Sequence, residues 1–326
     1  MLARKMKIKF KDIDVGTTPM LLPSFSSRLN LHPSKIFRLL SDIVTGPFLI
    51  SSYDYFYTKN FPSITFPELI FLDSGGYECS VDLDVSEIGL FKPKSHVWNE
   101  KKHFESLNKW NSEIPTVIIS YDHPSKRENL DKQIDDARNL FHKKDDCLKE
   151  ILLKPETSKL PRVNINNVID KIDSLREFDI IGFTEKELGT SVLERMINIA
   201  ALRKGMDEKD LQKPIHIFGS LDPITTPLYY FSGADIFDGL SWLRFAYDEQ
   251  TGTASYINCF GPKKEGIHVS MYVHWVHMVY TNYNYLRRLE IDLKKFKDTQ
   301  DFNIFGENGQ FFKKSYDDLL EAIGGF

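Results

Sequence analysis

Three aspartates stand at the ends of short apolar runs or within them, where a buried strand would present them to a site. Asp73 ends the run ELIFLD, Asp122 ends TVIISYD, and Asp238 lies within DIFDGL. Carboxylates brought together from separate strands can serve as nucleophile, as general acid or base, and as hydrogen-bond acceptor. A single aspartate after a strand is often only a helix N-cap or a turn former. Three in equivalent places favour a shared site.

Glycines accompany aromatic residues near the ends of the apolar runs. Gly75 and Gly76 precede Tyr77 in DSGGY, and Gly219 follows Phe218 in IHIFGS. Glycine has no Cβ, so its backbone N–H can come close to a ligand, and an aromatic ring can stack on a planar heterocycle. Core packing is the alternative for both rings. The pattern favours a base-sized ring held between Tyr77 and Phe218.

The elements that must position these residues are apolar, β-branched runs that alternate with helix-like stretches. The runs lie at 18–25, 46–53, 68–73, 116–122, 150–155, 179–184, 215–220 and 235–240. Strands buried on both faces read as continuous apolar runs, and alternation with helices indicates parallel pairing. The pattern predicts an α/β protein with one (β/α)8 TIM barrel, whose active site lies at the C-terminal ends of the strands.

The helical stretches also define the extent of the predicted domain. They lie at 34–44, 128–144, 164–178 and 191–205, followed by a long helix at about 270–296 and a short one at 313–323. We expect a single domain over 1–326, with the barrel at about 17–290 and C-terminal helices at about 291–326.

Charge and cysteine content limit the classes of function. The formal net charge is −4 at pH 7, so a site for a polyanion has to be a local basic patch. Cys79, Cys147 and Cys259 show no CxxC spacing, which suits free thiols in a reducing cytosol. There is no apolar run of about 18 residues, and the basic N-terminus lacks the apolar core of a secretory signal. We therefore expect no membrane association.

The motifs resemble those of the tRNA-guanine transglycosylases, TIM-barrel enzymes that exchange a guanine for a 7-deazaguanine. DSGGY is similar to the family's DSGG(F/Y)Q, and GADIFDGLSWLR to its GxDxFDxxxPTR. HIFGSLDP is similar to xLMGVGxP, VIISYDHP to the strand with the base-reading aspartate, and DIIG to the strand that ends in a glycine pair. The similarity runs from about residue 17 to 290.

The resemblance implies a role for each matched residue. Asp238 falls on the nucleophile that attacks C1′ of the sugar, and Asp122 on the carboxylate that recognises the guanine edge. Asp73 is then the candidate for proton transfer to the leaving base and from the incoming base. No redox or nucleotide cofactor is required. The implied substrate-binding residues are Ser74, Gly75, Gly76, Tyr77, Asp122, Gly182, Phe218, Gly219 and Arg244, and the implied catalytic residues are Asp238 and Asp73.

The zinc site of the family has no clear counterpart. The family carries CxCxxC…H after the nucleophile segment, whereas residues 250–285 hold Cys259, His268, His274 and His277. Zinc needs four well-placed donors. These four could supply them, but packing or surface histidines are the favoured interpretation, so we expect no metal and no other cofactor.

Contacts to the base and to the polymer also depart from the family pattern. Lys154 and Glu156 stand near the place of the base-reading glutamine, and Glu78 replaces the glutamine after DSGGY. A short chain with neither the zinc motif nor an added C-terminal RNA-binding domain looks most like the DpdA-type DNA 7-deazaguanine transglycosylases. That resemblance implies DNA and preQ0 or a related 7-deazaguanine as partners, in the cytoplasm of a bacterium or a phage-infected host. The sequence does not decide whether a helper protein is needed to open the duplex.

The target base has to be flipped out of a duplex or lie in a single strand. Local basic clusters would then hold the phosphates of the nucleic acid. The candidates are Arg4 to Lys11, Lys263–Lys264, Arg287–Arg288 and Lys294–Lys297. A solvated surface face is the alternative for each cluster. Arg244 could orient Asp238 or bind phosphate.

Three other functions share part of this pattern. A tRNA-directed base exchanger would use the same mechanism on a different polymer. A non-catalytic partner subunit would bind nucleic acid but be expected to lose the nucleophile, whereas Asp238 is present in its full context. A barrel glycosidase acting on free sugars would use the carboxylates but leaves the glycine–aromatic pairs unexplained. We expect the DNA-modifying transglycosylase.

Overall fold

The structure is a computed structural model that describes residues 2–29, 31–80, 94–144 and 146–325. Its strands are β1 (Lys7–Phe10), β2 (Ile13–Thr17), β3 (Met20–Pro23), β4 (Phe48–Ser51), β5 (Ile70–Asp73), β6 (Thr116–Ile119), β7 (Leu148–Leu153), β8 (Ile180–Thr184), β9 (Ile215–Phe218), β10 (Ile236–Gly239), β11 (Phe245–Asp248) and β12 (Thr253–Tyr256).

Helices follow most of the strands. The α-helices are α1 (Pro33–Leu40), α2 (Ser52–Tyr57), α3 (Gly76–Cys79), α4 (Glu100–Lys109), α5 (Leu130–Phe141), α6 (Ile165–Asp170), α7 (Val192–Glu208), α8 (Thr225–Phe231), α9 (Ile257–Glu265), α10 (Met271–Thr299) and α11 (Gly309–Ala322). Short 3₁₀ helices lie at Ser27–Leu29, Ile172–Leu175, Glu185–Glu187, Ser241–Leu243 and Phe302–Asn308. None of the helices in the described ranges combines the length and apolar composition needed to cross a lipid bilayer.

Strands β3 to β10 form the predicted (β/α)8 TIM barrel. They pair in parallel as an 8-stranded sheet in the order β4, β5, β6, β7, β8, β9, β10, β3. A parallel bridge between Ser24 and Leu49 joins the two end strands and closes the sheet. Seven of the eight predicted runs contain one of these strands whole, and the run at 150–155 overlaps β7, which begins two residues earlier at Leu148.

The side chains of the barrel strands alternate between the interior and the surrounding helices, as the two-residue period of a strand requires. In β10, Ile236 belongs to the inner apolar cluster, whereas Phe237 packs in the outer core against the helices. In β9, Phe218 belongs to the inner cluster and Ile217 to the outer core. Asp238, two residues after Ile236, therefore faces the inside of the barrel.

An N-terminal hairpin closes the end of the barrel opposite the strand C-termini. Strands β1 and β2 pair antiparallel directly before β3. Ile8, Phe10 and Val15 of this hairpin pack on the inner cluster that includes Met20, the first residue of β3. Because apolar side chains fill this end, access to the interior is from the C-terminal ends of the strands.

The helices cover the outside of the barrel with apolar stripes. In α5, Ile134, Ala137 and Phe141 are buried, the spacing that places side chains on one helix face. Asn129 caps this helix by accepting the backbone N–H of Lys132 at 2.9 Å. The helix predicted over 164–178 is instead split into α6 and a 3₁₀ turn.

The C-terminal helices pack against the barrel as one continuation of it. Helix α10 contacts β3 and β11, and it runs without interruption past the boundary predicted near residue 290. Helix α11 packs on α7 and α8. An aromatic cluster joins these layers, with Phe231 of α8 against Phe296, Phe302 and Phe312 at ring-centroid distances of 4.6, 5.4 and 5.7 Å.

Candidate active site

A cavity of about 700 Å³ opens at the C-terminal ends of the barrel strands. Every barrel strand contributes a residue at its end or just beyond it: Ser26, Ser51, Asp73, Asp122, Lys154, Thr184, Phe218 and Asp238. This is the position at which TIM-barrel enzymes hold their active sites. Of the residues predicted from the sequence, the cavity wall includes Asp73, Ser74, Tyr77, Asp122, Phe218, Gly219, Asp238 and Arg244.

Asp238 lies at the end of β10 with its carboxylate between two nitrogen atoms. Its Oδ1 accepts a hydrogen bond of 3.1 Å from the backbone N–H of Gly219. The same oxygen lies 3.5 Å from Nε2 of the buried His216. The side chain keeps 11% of its surface exposed, on the cavity side. An ionised carboxylate in this setting can attack an electrophilic carbon bound in the cavity.

Asp73 has a different environment at the end of β5. Burial and the neighbouring charge of Glu78 raise the pKa of Asp73 to about 8. The charges of Asp238 and Asp122 act in the same direction, and the N–H of Gly75, 3.1 Å from Oδ2, opposes them. Asp73 thus holds its proton at neutral pH and can donate it, as a general acid requires.

Glu78 and Asp54 form a second buried acidic pair behind Asp73. Glu78 accepts hydrogen bonds from Ser26 Oγ at 2.5 Å and from Ser51 Oγ at 2.8 Å. Burial and the charge of Asp54 raise the pKa of Glu78, and burial raises the pKa of Asp54. The charge of Glu78 raises the pKa of Asp73 and the charge of Asp54 raises that of Glu78, so repulsion within this acidic cluster favours the protonated forms.

Asp122, which follows the neighbouring strand β6, shares its part of the cavity wall with the mostly buried Lys154. Lys154 Nζ lies 2.8 Å from Glu187 Oε2 and 3.5 Å from Asp122 Oδ2. It also donates to Thr184 Oγ1 at 3.0 Å. Burial alone lowers the pKa of Lys154, but the charges of Asp122 and Glu187 outweigh burial and raise it. This wall therefore presents a hydrogen-bond acceptor and a cationic donor side by side.

Two aromatic side chains of the cavity wall, Tyr77 and Phe218, each pack against a basic side chain. The guanidinium of Arg28 lies 4.5 Å from the centroid of the Tyr77 ring. The ring of Phe218 stacks on His216 with centroids 3.9 Å apart. Each ring also lines the cavity. An aromatic ring in a cavity wall can stack on a planar ligand.

Gly75, Gly76 and Gly182 do not line the cavity, although the sequence predicted substrate contacts for them. Gly75 has φ +83°, and a Cβ there would lie 2.7 Å from Tyr53 Cβ. A Cβ on Gly76 would lie 2.8 Å from Asp122 Oδ2. The two glycines thus let the chain after β5 pack closely against neighbouring segments, and in that way they position Asp73 and Asp122.

Gly182 of β8 makes room inside the barrel rather than at its mouth. A Cβ at this position would lie 2.6 Å from Phe218 Cε2 and 2.7 Å from Glu150 Oε1. Phe218 and Glu150 therefore occupy the space that a side chain would take.

Basic side chains surround the mouth of the cavity. Those that line it are Arg127, Lys186, Arg195 and Arg244. Arg195 pairs with Glu185 at 2.7 Å, Arg127 lies 4.0 Å from Glu187, and Arg244 lies 5.4 Å from the ring centroid of Phe245. These cations are suited to contact phosphates next to a bound nucleotide.

One of the basic clusters predicted from the sequence lies at the other end of the barrel. The segment from Arg4 to Lys11 belongs to the end of the barrel that the hairpin closes, where Arg4 pairs with Asp207 at 2.8 Å. It lies at the wrong end of the barrel to hold the phosphates beside a base in the cavity. In α10, Arg288 pairs with Glu249 at 3.1 Å and Lys294 with Glu290 at 2.6 Å.

The segment from Cys259 to His277, weighed in the sequence analysis as a zinc site, includes a histidine–glutamate cluster. Glu265 contacts His274 Nδ1 at 2.5 Å and His277 Nδ1 at 2.7 Å. Cys259 and His268 are exposed. In the part of the chain that the structure describes, no set of three or more His, Cys, Asp or Glu side chains is arranged to hold a metal ion.

Sequence reasoning missed the buried polar residues that support the site. They are Ser26, Ser51, Glu150, Glu187 and His216. Glu150 and His216 each stand inside an apolar run that the sequence predicts to be buried on both faces. A charged residue in such a run is rare unless it has a partner. The presence of an ionisable residue in an otherwise apolar run is the signal that could have revealed Glu150 and His216.

Comparison of the chain with protein-family models gives no match. A search of curated proteins gives no match either.

Proposed function

We propose that this protein is a transglycosylase that exchanges a guanine in DNA for a 7-deazaguanine such as preQ0, through a covalent bond between Asp238 and the sugar. The observation that carries the proposal is the contrast between Asp238 and Asp73 in one cavity. Asp238 receives an N–H bond and faces a histidine, whereas burial raises the pKa of Asp73 to about 8. Two acids with opposed environments are the pattern of a nucleophile and a general acid.

The proposed reaction uses Asp238 as the nucleophile and Asp73 as the general acid. The Asp238 carboxylate bonds to C1′ as the bond from C1′ to the guanine nitrogen breaks, and Asp73 gives its proton to the leaving base. The incoming base returns a proton to Asp73 and attacks C1′. The bond from C1′ to Asp238 then breaks, and the electron pair returns to the carboxylate.

The wall formed by Asp122 and Lys154 supports a guanine-like ring as the ligand. The Watson–Crick edge of guanine carries two donors, N1–H and the N2 amino group, beside the O6 acceptor. A carboxylate with an ammonium group 3.5 Å away offers the complementary acceptors and donor. Tyr77 and Phe218 provide the apolar surfaces for its faces. A cavity of about 700 Å³ is within the range that takes a small organic ligand.

The choice of DNA depends on the resemblance to the DpdA-type enzymes. The basic rim of Arg127, Lys186, Arg195 and Arg244 is suited to the backbone of either nucleic acid. The target nucleotide has to leave its duplex to reach the cavity, at a cost of a few kcal/mol. A cytoplasmic location and a helper that opens the duplex belong to the same proposal.

Radiolabelled guanine incorporation tests both the reaction and the polymer. We expect label to enter duplex or single-stranded DNA but not tRNA, and unlabelled preQ0 to chase it out. Asp238→Asn should abolish incorporation and keep the folded circular dichroism spectrum. Asp136→Asn, at a half-exposed site on α5 outside the cavity, is the matched control and should retain activity.

The outcomes separate the alternatives. Label in tRNA alone would keep the mechanism and overturn the choice of DNA. Nucleic-acid binding without incorporation or a covalent adduct would favour the non-catalytic partner subunit. Full activity of Asp238→Asn would overturn the proposed nucleophile.

A further inference from the structure

Three ionisable side chains from three strands form a row inside the barrel. Glu150 Oε1 of β7 lies 2.7 Å from His216 Nδ1 of β9. His216 Nε2 lies 3.5 Å from Asp238 Oδ1 of β10. The side chains of Glu150 and His216 have no exposed surface, whereas Asp238 reaches the cavity. The row thus connects the interior of the barrel to the proposed nucleophile.

The surroundings of His216 leave its ring little freedom. Phe218 stacks on it at 3.9 Å, and Phe71 of β5 packs edge-on at 5.8 Å. Gly182 of β8 pairs with His216 in register and presents no side chain. Nε2 of the ring has no hydrogen-bond partner among the described residues. A small movement of the Asp238 carboxylate would bring it within hydrogen-bond distance of this nitrogen.

We propose that Glu150 and His216 are positioning residues for the reaction proposed above, in which a protonated His216 orients the Asp238 carboxylate and stabilises the charge that returns to it. The inference rests on the proposed function for its role in turnover. Glu150 balances the charge of the imidazolium, so the row of three carries the same net charge as a lone carboxylate. Neither residue touches the substrate.

The row acts most strongly when the covalent intermediate breaks down. Asp238 loses its charge when it bonds to C1′, and it regains the electron pair when that bond breaks. A cation beside the carboxylate makes it a better leaving group, because the charge that returns is stabilised. Removal of the cation should therefore slow the second half of the exchange, and the intermediate should accumulate.

Electrostatics of the surrounding strands support a charged imidazole. Burial alone lowers the pKa of His216, but the carboxylate of Glu150, together with Asp238, outweighs burial and raises it to about 9. Within the described residues, the other neighbours of the ring from β5, β8 and β9 are Phe71, Gly182 and Phe218, which do not titrate.

His103 provides a contrast within the same chain. It is also fully buried and stacks on Tyr121 at 5.5 Å, but neither of its ring nitrogens has a partner among the residues described. Burial lowers the pKa of His103 to about 3. A buried histidine without a carboxylate is thus expected to stay neutral where His216 stays charged.

An NMR titration of the substrate-free protein, with its histidine side chains labelled with ¹⁵N, tests the protonation of His216 and does not require enzymatic activity. The signal of His216 is assigned by its loss in His216→Gln. We expect it to remain protonated to about pH 9 and to titrate at lower pH in Glu150→Gln, while the His103 signal stays neutral in both. An ordinary titration near pH 6.5, unaffected by Glu150→Gln, would overturn the inference.

Turnover tests the role of the row in the reaction. Glu150→Gln and His216→Gln should each lower exchange by about 10- to 100-fold and raise the share of DNA trapped as a covalent adduct on denaturing gels. The double variant should be little worse than either single variant, because the two residues act as a unit. If the wild type is active and both variants exchange base at the same rate as the wild type, the positioning role is overturned. Absence of both exchange and adduct in the wild type would overturn the proposed function instead, and the NMR titration would still decide on the row.

Discussion

The backbone N–H of Gly219 donates a hydrogen bond of 3.1 Å to Oδ1 of Asp238, so the first residue after β9 orients the carboxylate at the end of β10. Gly219 has φ +83°, and a Cβ built on it would meet no protein atom within 4 Å. This left-handed conformation turns the N–H toward Asp238 and leaves the other side open to the cavity. Backbone geometry, and not only side-chain identity, therefore sets the position of the proposed nucleophile.

Substitution of this glycine should affect both stability and activity. A Cβ in the left-handed region costs about 1–2 kcal/mol per residue. We expect Gly219→Ala to lower the free energy of unfolding by about 1 kcal/mol in urea denaturation. Exchange should also fall, because relief of this strain turns the backbone N–H at position 219 away from Asp238. Gly324→Ala is the matched control, since Gly324 has φ +72° with open space around it. It should lose similar stability and keep full activity, and an equal activity loss in both would contradict the orienting role.

Asp73 should impose a pH dependence on the reaction. Its pKa of about 8 means that the acid form predominates at neutral pH and disappears as the pH rises further. We expect exchange to fall above about pH 8, and Asp73→Asn to lower it by about 10²- to 10⁴-fold at neutral pH. A rate that is constant through this range in the wild type would contradict the assignment of Asp73 as general acid.

The same group should make stability depend on pH in a defined direction. The folded-state pKa of Asp73 lies above the ordinary value, so its contribution to stability is fully present below about pH 4 and is lost as the pH rises through about 8. Asp73→Asn cannot acquire the buried charge. We therefore expect its Tm to exceed that of the wild type at about pH 9 and not at about pH 4, as measured by differential scanning calorimetry.

Lys154 should matter for both stability and base binding. Lys154→Met leaves the buried carboxylate of Glu187 and the partly buried carboxylate of Asp122 without their shared cation. We expect it to cost about 3 kcal/mol of unfolding free energy. Lys154→Met combined with Glu187→Gln should recover most of that stability, because one of the uncompensated charges is removed. Base affinity, measured by calorimetry, should stay low in both variants. Recovery of affinity in the double variant would show that Lys154 does not contact the base.

The mouth and the closed end of the barrel should differ in their response to salt. If Arg244 contacts a phosphate, Arg244→Ala should reduce the slope of log affinity against log salt concentration by about 1. Lys9 is exposed on β1 at the opposite end of the barrel. Lys9→Ala should therefore leave the slope unchanged. An equal change in both variants would indicate non-specific attraction instead of a site at the mouth.

Much of the architecture could be predicted because its signals are local. Strands buried on two faces need continuous apolar runs, so the run at 235–240 contains β10 whole and the run at 150–155 overlaps most of β7. The position of Asp73 at a strand end followed from the same pattern. The helix predicted over 164–178 is interrupted near Lys171, and this was less predictable. A helical period in the sequence does not reveal where one turn tightens into a 3₁₀ helix.

The alternation of eight strands with helices, and the positions of Asp73, Asp122 and Asp238 near strand ends, can be read from local patterns, because burial on two faces requires consecutive apolar residues. Which side chains meet depends on the packing of distant segments. Glu150 and His216 are 66 residues apart, and their contact depends on the register of three strands. The basic N-terminus illustrates the same limit, since its charge is visible in the sequence but its place at the closed end of the barrel is set by hairpin packing.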